Sequence, residues 1–214
     1  MDVVPDWPVL LAFAIAVFVV AITPGPDMTL FLSKTLAHGR RAGFVTYLGA
    51  STGLAVHTLF AAVGLTALLA ASATAFTVVK VVGAAYLLWL AISALRHGSA
   101  LRIERGGGRP ESNRRLFLMG FGINMLNPKI ILFFVTFLPQ FVSTGDPSAM
   151  GRLLFLGSCF VIGAFPICMG FIFVADRIAA LMRGSPRLTR TIDYVFASVF
   201  GGFAIAILFE RGRS

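Results

Sequence analysis

Thr23-Pro24-Gly25-Pro26-Asp27 and Asn127-Pro128-Lys129 each cut through a long apolar run, and the reading of those runs decides the fold. Around the second stretch, Leu116 to Pro128 and Ile130 to Gly145 carry no charge on either side of Lys129, and Ala42 to Val79 and Leu153 to Ala175 carry none at all. A helix needs roughly 20 apolar residues to cross about 30 Å of hydrocarbon. Spans are therefore predicted near 8–32, 43–70, 76–95, 116–138, 152–174 and 192–210, with Lys80 inside the third and Asp193 opening the sixth. The composition agrees: of 214 residues, 57% are apolar and 13% charged. That is about half the charged share of ordinary soluble domains, too little to cover a surface facing water. Strict period-two alternation is missing, and hydrocarbon satisfies no unpaired backbone group, so the expected fold class is an all-α integral membrane protein and not a barrel. The leader Met1 to Pro8 holds Asp2 and Asp6 but no Lys or Arg, the wrong sign for a secretory signal, so the first helix is expected to stay in the mature protein.

Positive charge sets the expected orientation. The first connection carries Lys34, Arg40 and Arg41, the third has six cations between Arg96 and Arg115, and the fifth has Arg177, Arg183, Arg187 and Arg190. These hold 13 of the 18 Lys and Arg residues, whereas the second connection has none and the fourth, around Ser143 to Gly151, carries only Asp146. By the positive-inside rule the odd connections are cytoplasmic and both termini lie on the periplasmic or extracellular side of a plasma membrane. The net charge of +9 is thus mostly a topology signal. Arg96 to Arg115 lacks the interleaved aromatics and motifs of a nucleic-acid binder, so the expected partner of this stretch is anionic lipid. Organisation follows as one transmembrane domain over 1–214: a three-helix unit at 1–95, a basic loop at 96–115 and a second unit at 116–214.

An odd number of spans per unit means that a duplicated unit inserts upside down the second time. Lys80-Val-Val-Gly83-Ala-Ala and Ser198-Val-Phe-Gly201-Gly-Phe place a glycine alike in the third and sixth helices, and the two Pro interruptions fall in the first and fourth. Thr23 and Asn127 suit an N-cap, with Pro24 and Pro128 at the first helical position, where a missing N–H costs nothing. The expectation is two inverted three-helix repeats whose broken helices restart at Pro24 and Pro128 near mid-membrane, the signature of a secondary transporter. A charge at that depth is costly and is paired, hydrated or used. Asp27 and Lys129 are accordingly the leading binding residues, with a carboxylate for a substrate ammonium and a cation for its carboxylate: the polarity of an amino-acid zwitterion. Asn124 and Asn127 join them as donors, Pro24, Gly25, Pro26 and Pro128 as the breaks themselves, and Asp27 and His57 as proton-coupling candidates. Gly49 and Gly53, four apart, are read as a close-packing face.

Beyond these stretches, His38-Gly-Arg-Arg-Ala-Gly43, Gly83-Ala-Ala-Tyr-Leu-Leu-Trp-Leu-Ala91, Asn124-Met-Leu-Asn-Pro-Lys129 and Phe137-Leu-Pro-Gln-Phe141 follow in order along the chain. Together they resemble the lysine exporter and homoserine/threonine resistance (LysE/RhtB) family of bacterial amino-acid exporters, over nearly the whole length. The resemblance implies a six-helix inner-membrane translocator driven by the proton gradient or membrane potential. It carries the family motif onto Pro24, Gly25, Pro26, Asp27, Asn124, Asn127, Pro128 and Lys129 and does not name the cargo.

Rival functions meet the same residues. Gly106-Gly-Gly108 lacks the Lys-Ser/Thr ending of a phosphate-binding loop, which argues against ATP hydrolysis, and no enzymatic activity or cofactor is expected. Cys159 and Cys168 lie nine apart in one helix, too far for a Cys-x-x-Cys redox motif, and are expected to be reduced and buried. Divalent metal cation efflux is the alternative function, though His38, His57 and His97 show no ligand spacing and no metal site is assigned. The sequence leaves a homo-oligomer open.

Overall fold

The computed structural model describes residues 3–97, 111–143, 146–177, 180 and 186–210. Most of the basic loop 96–115, with Arg102, Arg105, Arg109 and the Gly106–Gly108 run, lies outside the described residues, as does Arg183. In chain order the described helices are α1 (Trp7–Ile22), α2 (Pro26–His38), α3 (Arg40–Ala71), α4 (Ala73–His97), α5 (Asn113–Met125) and α6 (Pro128–Leu132). A π-helical turn at Phe133–Phe137 and a 3-10 turn at Leu138–Phe141 prolong α6, and α7 (Ala149–Phe173) and α8 (Pro186–Glu210) complete the set. No strand occurs among the described residues.

By length and composition α3 and α7 can each cross a membrane, and the pairs α1 with α2 and α5 with the α6 segment each qualify as one bent span. The two bends measure 51° and 50°. Two spans, or four with each bent pair taken as one, are thereby supported among the described residues. The two remaining helices of the expected six, α4 and α8, are 25 residues long, about 37 Å at 1.5 Å per residue, and α4 carries an apolar stretch over Ala73–Tyr86. The outside of the molecule is greasy, with Trp7 on α1, Phe60 on α3 and Ile162 and Phe173 on α7 each at least 60% exposed. An apolar surface of that extent is stable against lipid, not water.

Packing places the breaks at the centre. α3, the longest helix, lies against α2, α5 and α7, and α4 lies against α8. The α3–α5 approach is backbone on backbone: a Cβ on Gly49 would stand 2.0 Å from the Phe117 carbonyl oxygen, and one on Gly120 only 1.8 Å from that of Thr46. The small-residue face read at Gly49 and Gly53 serves this approach. Beyond the second break, a cluster of Phe13, Phe133, Phe134, Phe137, Phe160 and Phe200 joins α1, the π turn, α7 and α8.

Candidate functional site

The first break follows from proline chemistry. A helical Val20 carbonyl takes the N–H four residues on, but that residue is Pro24, which has none. α1 therefore stops at Ile22, with the Thr23 N–H reaching the Val19 carbonyl at 3.0 Å and the Thr23 hydroxyl donating to the same oxygen at 2.6 Å. Thr23 thus closes α1. This corrects the expectation that it N-caps the next helix: α2 starts at Pro26, behind an extended Gly25. The residue before a proline is pushed out of helical space, so Gly25 cannot belong to a helix that began at Pro24.

Lys129 completes this end. Its ammonium donates to the Val20 carbonyl at 3.2 Å and to the Thr23 carbonyl at 2.9 Å, replacing the donor that Pro24 withholds. A Cβ on Gly25 would stand 3.0 Å from Lys129 Nζ, so glycine leaves the lysine its path.

At the second break the expected cap forms. Asn127 Oδ1 accepts the Lys129 N–H at 3.0 Å, and Pro128 opens α6. Pro128 deprives the Asn124 carbonyl as Pro24 deprives that of Val20. Here the Asn127 N–H reaches the carbonyl at 3.0 Å, and His57 Nε2 lies 3.4 Å away. A carbonyl only accepts, so this contact uses the tautomer with the proton on Nε2. The imidazole stacks on Phe134.

Between the breaks stands Asp27, half-buried in the first turn of α2. The Asn124 side-chain amide donates to Asp27 Oδ2 at 2.6 Å, and the Asn127 amide donates to Oδ1. Both asparagines are buried, at 0% and 1% exposure. The structure thus brings Asp27, Asn124, Asn127, Lys129 and Gly25 into one cluster, with Pro24 buried behind it and Pro26 and Pro128 exposed. Asp27 and Lys129 form no salt bridge; each is held by neutral groups from the other half of the chain. A cavity of about 50 Å³ opens on Asp27, Asn124 and Lys129, and His57 is not part of its lining. No group of three or more His, Cys, Asp and Glu residues gathers to hold a metal among the described residues.

Several features escape sequence reading. Tyr47 and Cys168 also line the cavity; the signal for Tyr47 is its helical spacing with Ala50 and Leu54 on α3. Cys168 is buried as expected, whereas Cys159 is only half-buried, and both are free thiols. Lys34 on α2 pairs with Glu111 just before α5 at 2.9 Å. That hydrogen bond, with the positive charges of Lys34, Arg115 and His38, holds the Glu111 carboxyl below its ordinary range. On α4, Lys80 donates to the Val142 carbonyl at 3.3 Å and Gln140 donates to the Lys80 carbonyl at 3.1 Å. Two helices broken by proline, their loose ends tied by side chains from the opposite half around a buried carboxylate, define a polytopic membrane protein with a polar centre.

The comparisons with known proteins place it further. Residues 18–211 match the model of the LysE type translocator family. The chain belongs to that family; it is a multi-pass membrane transporter, not an enzyme. A homoserine/homoserine lactone efflux protein of Salmonella typhimurium is 30% identical over 88% of this chain and 90% of its own. A Vibrio cholerae membrane protein is 32% identical over 92% and 95%, and a leucine efflux protein of Enterobacter is 29% identical over 90% and 91%. No solved structure matches the chain.

Proposed function

We propose that this protein is a secondary active exporter of amino acids or related small zwitterionic metabolites across the bacterial inner membrane, coupled to proton entry and working by alternating access. The observation that carries the reading is Asp27, a carboxylate from one broken helix clasped by two buried amides of the other. Such a group answers a substrate ammonium, while Lys129 and the positive end of α2 answer its carboxylate. The relatives named for homoserine and leucine efflux support a cargo of that polarity. In this reading the chain makes six spans as two inverted three-helix repeats, and both termini lie outside. The matched bends and the position of the basic connections support that arrangement.

The cavity of about 50 Å³ is far below the roughly 300 Å³ at which small-molecule pockets begin, so the proposed state is occluded. Opening toward the cytoplasm parts the Lys34–Glu111 pair, and opening outward parts the Lys80 and Gln140 contacts. Both join the first half to the second, Lys34 from the helix before α3 and Lys80 from the helix after it, and the 32 residues of α3 reach about 48 Å. In the proposed cycle Asp27 exchanges its proton as substrate leaves, and His57, fixed on the Asn124 carbonyl, positions the second break. Purified protein in vesicles loaded with labelled amino acids tests this. An imposed pH gradient drives efflux in the wild type, and Asp27→Asn abolishes the pH-driven part; unchanged coupling in that variant overturns the role of Asp27.

A further inference from the structure

At the end of α2 away from Asp27, about 17 Å along the helix, the stretch His38-Gly-Arg-Arg-Ala-Gly43 turns the chain into α3. Gly39 holds φ at +85°, a value that favours glycine. Gly43 has no room for a Cβ, which would stand 1.8 Å from Thr35 Oγ1. So tight a turn brings His38 and Arg41 beside the start of α5. There, with Glu111, Ser112 and Asn113, they line a hollow of about 370 Å³, within the range of small-molecule sites.

The charges of this hollow have both signs and are only partly used. Glu111 Oε1 accepts the Lys34 ammonium at 2.9 Å, while Oε2 is buried and has no partner; a carboxylate accepts at both oxygens. Lys34 is not part of the lining. Arg41 is exposed and makes no ion pair among the described residues. A simple anion is opposed here by Glu111 and a simple cation by Arg41, whereas a small molecule that bears both an ammonium and a carboxylate is matched.

We infer that this hollow is an entry site for the exporter's cargo, in which Arg41 takes the carboxylate and Glu111 the ammonium of an amino acid before it reaches Asp27. The inference rests on the exporter reading above, which puts this end of the molecule in the cytoplasm. The planar guanidinium of Arg41 suits a carboxylate, which it can grip at two points. The cargo's ammonium competes with Lys34 for Glu111, so the arrival of substrate loosens the pair that parts when the cytoplasmic side opens. Partly exposed charges bind weakly and are screened by salt, as befits a site that loads and then releases.

Inside-out membrane vesicles with an acid lumen present this face to labelled amino acids, homoserine and leucine among them. Arg41→Gln raises the KM of uptake about fivefold and lowers kcat far less, and the difference fades at high salt. Exchanging the pair, Lys34→Glu together with Glu111→Lys, restores the tie between α2 and α5, read as a wild-type melting temperature. The exchange also puts a cation into the hollow, so KM stays raised. A wild-type KM in either variant, or a loss confined to kcat, leaves Lys34 and Glu111 as a gate contact alone and overturns the entry site, with Asp27-dependent coupling untouched. Wild-type vesicles that take up no amino acid overturn the exporter reading and this inference with it.

Discussion

The two helix breaks are made of the same parts and closed in different ways. Pro24 strips a donor from the Val20 carbonyl and Pro128 from the Asn124 carbonyl, each four residues back. At the first break the substitute is Lys129, 109 residues away in sequence. At the second it is largely local: the N–H of Asn127 reaches the freed carbonyl and the Asn127 side chain caps α6, with His57 adding a longer contact. The second break is therefore close to a self-contained turn, whereas the first is complete only when the two halves meet. The halves exchange charges as well, because the carbonyls of the first break hold Lys129 and the amides of the second hold Asp27.

That asymmetry predicts the largest effect. Lys129→Met leaves two carbonyls without their ammonium donor in a water-poor interior, a loss of about 2–5 kcal/mol, read from denaturant or thermal unfolding in detergent. Adding Pro24→Ala to that variant returns an N–H to the Val20 carbonyl and recovers a large part of the loss. His57→Phe keeps the stack on Phe134 and removes one long hydrogen bond from a carbonyl that retains a backbone donor, so it costs about 1 kcal/mol. No rescue by Pro24→Ala, or equal damage from Lys129→Met and His57→Phe, removes the distinction between the breaks.

Two glycines meet the groups that tie the breaks, one at a long side chain and one at a short one. Gly25 faces the tip of Lys129, with 3.0 Å from its would-be Cβ to Nζ, while Gly53 on α3 faces Asn124, with 2.5 Å to Oδ1 and 3.0 Å to Cβ. A lysine tip shifts slightly without leaving its two carbonyls, but Asn124 is short, buried and fastened to Asp27. Gly53→Ala is thus expected to cost about 1–3 kcal/mol and to disturb efflux, and Gly25→Ala to cost less; the reverse order, measured by unfolding and by vesicle efflux, breaks the argument.

Much of this was legible beforehand. The long runs without charge placed α3 and α7 within three residues at either end, and Asn-Pro-Lys announced both its cap and its break. Convergence of Asp27 with Asn124 and Asn127 followed from putting matched interruptions at one depth. Thr23 misled because threonine closes a helix as readily as it opens one, and the deciding fact was Gly25 standing before Pro26. The partners of Lys129 were invisible for a deeper reason: they are backbone carbonyls, which every residue has, and only the fold shows which are orphaned. Tyr47 gave no more than helical spacing, since a buried tyrosine in a core and one on a cavity wall look alike in sequence.

The smallest effect belongs to a contact that joins the same two segments without touching either break. Lys34 and Glu111 tie α2 to the start of α5 at 2.9 Å, both side chains partly exposed, and such a pair is worth at most about 1 kcal/mol. Because the Glu111 carboxyl titrates below its unfolded range, the pair contributes in full above that range and is lost as pH falls through the lowered value. Wild type should therefore melt slightly above Glu111→Gln near neutral pH, and the gap should close below about pH 4, where ordinary carboxylates protonate. A gap that widens in acid would mean that the carboxylate strains the junction between α2 and α5. Lys129 would then be drawing the halves together against Glu111, and the first break would carry a load that the second does not.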